Sequence, residues 1–424
     1  MSFGFRIWLS QESIIPTMDN DVTNIAKAEG LAMPQASGSF QAGRVLTIAA
    51  GHAVHDTYTG FLAPLLPVFI TNLSLSKTEA GLLTVFMQGP SLLQPAIGYL
   101  ADRVSLRYLV ILGPAAAAVM MSLLGIAPSY AMLALLLTVV GVSSAGFHAV
   151  APVMAGNLSG RRLGQGMSFW MVGAELGRTL GPIVVVSAIK LLTPQGLPWL
   201  MTFGLLGSAV LYTRLRDVSV QLPKAGQGLP WSQALRGMRR FVVLLVNITV
   251  VRALMIAALT TYLPTFLSEE GADLWFAGVS LTVLEAAGTV GALLGGSLSD
   301  RLGRRLVLLA SFLASPLLML VFLTANGWSR LPILLLLGFT ALSNMPVLMA
   351  LVQENFPANR ALANGIYLAL TFVSNSVMAV AVGALGDLFG LRLAFTASAI
   401  APLLGVPLIL LLPGKAGKQH EMER

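Results

Sequence analysis

GSLSDRLGRR, residues 296–305, sets four charged side chains, Asp300, Arg301, Arg304 and Arg305, into a chain that is mostly hydrocarbon. One long apolar run stops there and another begins. A worn copy, GYLADRVSLR, lies at 98–107, 198 residues earlier. Both carry Gly, then Asp-Arg at the fourth and fifth positions after it, then Arg at the ninth. These are Gly98, Asp102, Arg103 and Arg107 in one copy, and Gly296, Asp300, Arg301 and Arg305 in the other. The offset is just under half of the 424 residues, which raises the question whether the chain is two copies of one half.

Composition sets the class. Hydrophobic residues make up 56% of the chain and charged ones 10%, with a mean hydropathy of +0.80. That balance is too apolar for a soluble protein of this length and puts the chain in a bilayer. A hydrocarbon core about 30 Å thick needs roughly 20 apolar residues per helical crossing, and such runs recur from Arg44 onward. Barrel strands would instead alternate apolar and polar residues. The net charge of +8 then belongs to loops facing anionic lipid and not to a nucleic-acid surface. There is no cysteine, which excludes disulfides, thiolate metal sites and Cys nucleophiles. With no complete P-loop signature and no HExxH motif, an enzyme is not expected.

A polar segment over 1–43, broken by Pro16, Gly30, Pro34 and Gly38, lacks the pattern of a signal peptide and reads as a disordered cytoplasmic tail. Twelve spans follow. The first bundle, 44–216, holds spans over 44–70, 78–101, 108–127, 130–155, 166–191 and 197–215. A polar cytoplasmic linker over 217–240 carries Lys224, Arg236, Arg239 and Arg240. The second bundle, 241–412, holds spans over 241–267, 276–299, 306–325, 331–355, 361–385 and 391–412, before a short basic tail over 413–424. Of the 26 Lys and Arg residues, 20 fall on the side of both tails and only Lys77, Lys190, Arg330 and Arg392 on the other. Positive charge stays inside, so both termini and both charged motifs are expected in the cytoplasm. LGQGMSFW at 163–170 also aligns with LANGIYLA at 362–369. The expected fold is an all-α membrane protein of twelve transmembrane helices in two pseudo-symmetric six-helix bundles, related by an axis along the membrane normal.

Ionisable groups inside spans are costly, and each is a functional candidate. His52, His55 and Asp56 lie in span 1 at spacings that share one face. His148 lies in span 4, Glu175 and Arg178 in span 5, Arg252 in span 7 and Glu285 in span 8. All can face one central cavity. Three carboxylates meet two arginines there, so one carboxylate is left over to bind a proton reversibly. Asp56, assisted by His52 or His55, is the favoured proton site, because Glu175 has Arg178 one turn away. That pair reads equally as a structural ion pair, and His148 equally as a packing histidine. Arg252 pairs with Glu285 or meets an anionic substrate. Two histidines with one Asp lack a clear further ligand, so no metal is expected. Asn247, Asn344, Asn364 and Asn375 are polar candidates for lining the path or linking helices.

Gly98 and Gly296 are expected to let two helices approach closely. Asp102 and Asp300 can face a helix N-terminus or pair with the loop arginines, and Glu354 is a candidate partner for Arg304 or Arg305. Gly173, Gly177 and Gly181 recur every four residues ahead of Pro182, forming a strip for tight packing on a helix that Pro bends.

Twelve spans in two halves, a basic central loop and paired GxxxDRxGRR loops resemble the major facilitator superfamily. QGPSLLQPAIGYLADR at 88–103, SSAGFH at 143–148, GAELGRTLGP at 173–182 and QENFPANRALANG at 353–365 are most similar to its fosmidomycin resistance group of bacterial exporters. Ser105 stands where that pattern has Gly, and Ala149 where the group tends to have Pro. The resemblance implies that the charged loops latch the cytoplasmic side closed and release as the transporter turns inward. Their arginines also read as plain topology anchors. It further implies that GxxxGP in span 5 is an antiporter signature. The expectation is a monomeric transporter of the bacterial plasma (inner) membrane, exporting a small organic compound or drug against protons, with the proton as coupling ion and no cofactor. Proton-symport uptake of an organic acid, sugar or other nutrient is the alternative; a transport-dead sensor on the same scaffold is a third.

Overall fold

The computed structural model describes residues 39–101, 104–218, 239–355 and 360–412. Most of the two tails and of the linker, and the pair Asp102 and Arg103, lie outside the described residues. The first half holds α1 (Ala42–Thr59, continued by Leu62–Leu73), α2 (Lys77–Gln88, continued by Gln94–Ala101), α3 (Arg107–Leu123), α4 (Tyr130–Ser159), α5 (Leu163–Leu192) and α6 (Met201–Leu215). The second holds α7 (Arg239–Ala257, continued by Leu263–Glu269), α8 (Leu274–Leu302), α9 (Arg304–Thr324), α10 (Arg330–Leu342, continued by Asn344–Asn355), α11 (Arg360–Phe389) and α12 (Leu391–Ile400, continued by Gly405–Leu410). No described residue is in a strand.

Ten described helices are long and apolar enough to cross a membrane. α1 and α2 fall outside that set. α1 is loaded with Arg44, His52, His55 and Asp56 and turns at Gly60 and Phe61, while α2 passes through a 3₁₀ turn at Gly89–Leu93, where Pro90 withholds an N–H. Several helices also outrun their hydrophobic stretches: α4 continues to Ser159 and α8 to Leu302, because backbone hydrogen bonding continues past the last apolar residue.

Each half has its own cores. In the first, Phe61, Leu65 and Leu137 form one cluster and Val45, Phe147 and Trp170 another. In the second, Phe266, Phe322 and Phe395 form one and Ile248, Phe312 and Tyr367 another. Leu135, Phe203, Leu317 and Trp328 are exposed on the outside, as expected of helices that face lipid.

The glycine strip of α5 packs on the backbone of α1. A Cβ at Gly173 would meet the carbonyl of Ala49, one at Gly177 the carbonyl of Ala53 and the Cβ of Asp56, and one at Gly181 the carbonyl of Thr57. The strip therefore fixes where Asp56 stands. α5 runs through Pro182 as one continuous helix. Gly296 behaves otherwise than expected: nothing lies within 4 Å of its missing Cβ. The close approach in α8 occurs earlier, where Gly291 meets the carbonyl of Phe339 and Gly338 of α10 meets that of Leu284. The surroundings of Gly98 lie outside the described side chains.

The halves join at the end away from the GSLSDRLGRR loop. Lys77 Nζ lies 3.0 Å from Glu269, and the Tyr262 hydroxyl donates to the Lys77 carbonyl at 2.7 Å. Gly278 of α8 seats against Val186 of α5 on the same side.

Candidate functional site: a charged cavity between the halves

Below that closure the seam widens into a cavity of about 690 Å³. Asp56, His148, Glu175, Arg178, Arg252 and Glu285 all line it. Six side chains from five helices thus converge, as their placement in the spans predicts. Toward the end bearing the charged loops, Met167 and Ser168 of α5 line one wall and Met345 and Met349 of α10 the other. His52 and His55 are buried behind Asp56, at 2% and 0% exposure.

Asp56 is not the carboxylate left without a partner. His55 Nδ1 donates to its Oδ1 at 2.9 Å, and His52 Nε2 lies 3.4 Å from its Oδ2. His148 Nε2 stands 3.8 Å from Oδ1. Glu175 pairs with Arg178 on its own helix and accepts the Thr289 hydroxyl of α8 at 3.1 Å, which ties the pair to the other half. Glu285 is the carboxylate without a hydrogen bond or ion pair among the described residues. Arg178 and Glu175 lie within electrostatic range of it. The expected assistance of Asp56 by His52 and His55 is present, and of the two arginines Arg178 alone pairs with a carboxylate among the described residues.

Arg252 does not pair with Glu285 either. Its Nη2 donates to the Ala341 carbonyl at 3.2 Å, and its Nε is buried with no partner among the described residues. Only 7% of the residue is exposed, yet it lines the cavity. Of the asparagines, Asn375 lines the cavity and Asn344 is buried, whereas Asn247 donates to Val243 of its own helix. The side chain of Asn364 is outside the described residues.

The described contacts of the charged loop lie within the second half. Arg304 lies 2.5 Å from Asp300 and 3.1 Å from Glu354 of α10, and Arg305 Nε donates to the Ile409 carbonyl at 3.4 Å. Arg301 is exposed. The described contacts between the two halves lie along the cavity and at the opposite end. Asp102 and Arg103 lie outside the described residues.

Two features of the wall were not foreseen. Gln88 accepts from the Ser376 hydroxyl at 3.1 Å across the halves. Met87, Met167, Met171, Met345 and Met349 line the cavity. In the sequence a methionine on an apolar helix face looks like core, and no spacing rule separates the two.

The model of the Major Facilitator Superfamily matches residues 48–358 and again 278–423. The chain belongs to the Major Facilitator Superfamily. It is 25% identical to the fosmidomycin resistance protein of Escherichia coli (strain K12) over 379 residues, 88% of this chain and 93% of that protein. It is also 25% identical to the MFS-type transporter YfnC of Bacillus subtilis (strain 168) over 385 residues, 87% and 92% of the two chains. Among solved structures, a bacterial homolog of the human lysosomal transporter Spinster in an inward-facing, unoccupied conformation superposes with a TM-score of 0.73. That match covers 89% of this chain and 97% of that one at 13% identity. A D-xylose-proton symporter superposes with a TM-score of 0.67 at 16% identity, covering 88% and 98%. The superfamily fold and its transport role follow, and this is not an enzyme family.

Proposed function

We propose that this superfamily member is a proton-coupled exporter of small organic compounds in a bacterial inner membrane, with both termini in the cytoplasm. One observation carries the coupling: Glu285, with no hydrogen bond or ion pair among the described residues, faces a cavity that also holds the Glu175–Arg178 pair and the half-satisfied Arg252. A carboxylate that no ion pair holds, facing a cavity within the membrane, is a group that can take up and release a proton. Binding and releasing a proton at Glu285 therefore switches the cavity between charge states as the halves rock. Arg252 supplies the positive group for an acidic cargo, and the methionines supply an adaptable apolar wall. The likeness to a fosmidomycin resistance protein over 88% of the chain supports export over uptake.

Inverted membrane vesicles energised to an acid interior provide the test. An acidic drug should accumulate inside and leave when a protonophore collapses the gradient. Accumulation confined to right-side-out vesicles would point to symport uptake instead.

A further inference from the structure

His52, Asp56 and His148 place their ligand atoms within 4.8 Å of one another. His52 Nδ1 lies 3.1 Å from the Trp170 carbonyl, and His148 Nδ1 lies 2.9 Å from the Ser144 carbonyl. A carbonyl only accepts, so a proton on each Nδ1 satisfies it, with the Ser144 hydroxyl also 3.2 Å from His148 Nδ1, and in that tautomer each Nε2 is a bare lone pair. Those two lone pairs face one another at 3.2 Å. Asp56 closes the triangle, with Oδ2 at 3.4 Å from His52 Nε2 and Oδ1 at 3.8 Å from His148 Nε2.

Three acceptors converging in a buried pocket repel one another unless a cation stands between them. A proton engages two of the three at a time. An ion bonding nitrogen and oxygen at about 2.0–2.1 Å in tetrahedral geometry engages all three, and spans edges of about 3.3–3.4 Å. With one ligand atom taken from each residue the three lie within 4.8 Å of one another, and since the 3.4 and 3.8 Å distances belong to different Asp56 oxygens, the carboxylate has to turn inward to close the tetrahedral edges. Each corner also has an outer partner of the kind that orients a metal ligand. The two carbonyls hold the rings, and the His55 Nδ1–H at 2.9 Å holds the carboxylate.

We propose that His52 Nε2, His148 Nε2 and an Asp56 carboxylate oxygen bind one divalent transition-metal ion of the zinc class, with the fourth position open to the cavity that Asp56 and His148 line. Two imidazoles with one carboxylate select against magnesium and calcium, which take all-oxygen shells. The missing ligand of the sequence reading was His148, which α4 brings to α1. The site goes beyond the proposed transport and does not depend on its direction.

The test uses the full chain without an affinity tag, stripped with a chelator in detergent and titrated with Co²⁺, whose visible absorption reports four-coordination. One Co²⁺ per chain with a tetrahedral spectrum, displaced by Zn²⁺, is expected. His148→Ala should weaken binding by at least ~100-fold, the upper end of what loss of an outer partner costs, and His55→Ala by about 10-fold. His420→Ala, in the C-terminal tail, should leave it unchanged. Absence of the tetrahedral spectrum, or binding that survives His148→Ala, overturns the proposal. Elution and circular dichroism check that His148→Ala is folded, and Asp56→Asn carries the same comparison if it is not. The readout is binding, so its failure and a failure of proton-coupled export are told apart.

Discussion

Asp387 of α11 caps the first turn of α2 in the opposite half. The Lys77 and Thr78 N–H groups donate to its two carboxylate oxygens at 2.8 and 2.9 Å, and the Thr78 hydroxyl adds a third bond at 2.6 Å. Ser76 and Glu79 form a capping box at the same helix start, so Asp387 takes the N–H groups that the box leaves over. A carboxylate at a helix N-terminus is favoured by the macrodipole as well. This contact, with Lys77–Glu269 beside it, closes one end of the seam while the cavity opens to the other.

Asp387→Asn should therefore loosen that closure. Loss of an exposed, charge-assisted bond worth about 1 kcal/mol shifts the balance of states roughly fivefold. The chain has no cysteine, so a single Val186→Cys, buried at the closed seam, reports opening directly. Labelling by a membrane-impermeant thiol reagent from that side should rise in the Asp387→Asn background. Unchanged labelling would remove Asp387 from the closure.

Gly177→Ala and Gly296→Ala should part company. A Cβ at Gly177 strikes the backbone of α1 next to Asp56, so the variant should lose most transport and several degrees of thermal stability. At Gly296 there is open space on a helix, where Ala gains about 0.5–1 kcal/mol over Gly. Paired flux and unfolding measurements on the two variants check this.

Glu270, just past the end of α7, clamps two helices by accepting from Arg330 of α10 and Arg392 of α12, both at 2.7 Å. Its partial burial pushes its carboxyl up, but the two guanidinium groups outweigh that and hold it below the ordinary glutamate value. A depressed carboxylate contributes stability that is present above its unfolded value and is lost as pH falls through its folded one. Glu270→Gln should accordingly lower thermal stability at neutral pH and flatten its decline below the ordinary carboxylate range. A melting profile against pH that is parallel for both proteins would refute the clamp.

Arg252→Ala should weaken binding of an acidic compound by about 10- to 100-fold, the loss of one charge-assisted contact, while a neutral compound of similar shape loses little. Competition against a labelled ligand in detergent measures both. Equal losses would mean that Arg252 only supports the Ala341 carbonyl it bonds.

The repeat, the bundle count and the membrane class were readable from GSLSDRLGRR, its earlier copy and hydropathy, because those properties are set along the chain. The glycine strip of α5 was also readable, since a four-residue period names a face before its partner is known. Partners on other helices were not readable. Gly296 carries the motif but has open space where a Cβ would stand, while Gly291 and Gly338 make the close approach. The imidazoles of His52 and His55 beside Asp56 were readable from their spacing on one helix, whereas the third, His148, and the absence of an Arg252 contact to Glu285 depend on which helices meet.

Flux in proteoliposomes under an imposed pH gradient, wild type against Glu285→Gln, tests the central claim most directly. Wild type should drive an acidic drug against its gradient when protons run the other way. Glu285→Gln should still exchange drug for drug but no longer respond to the gradient. Equal wild-type flux with and without the gradient, or gradient-driven flux that persists in Glu285→Gln, would contradict proton coupling at this carboxylate.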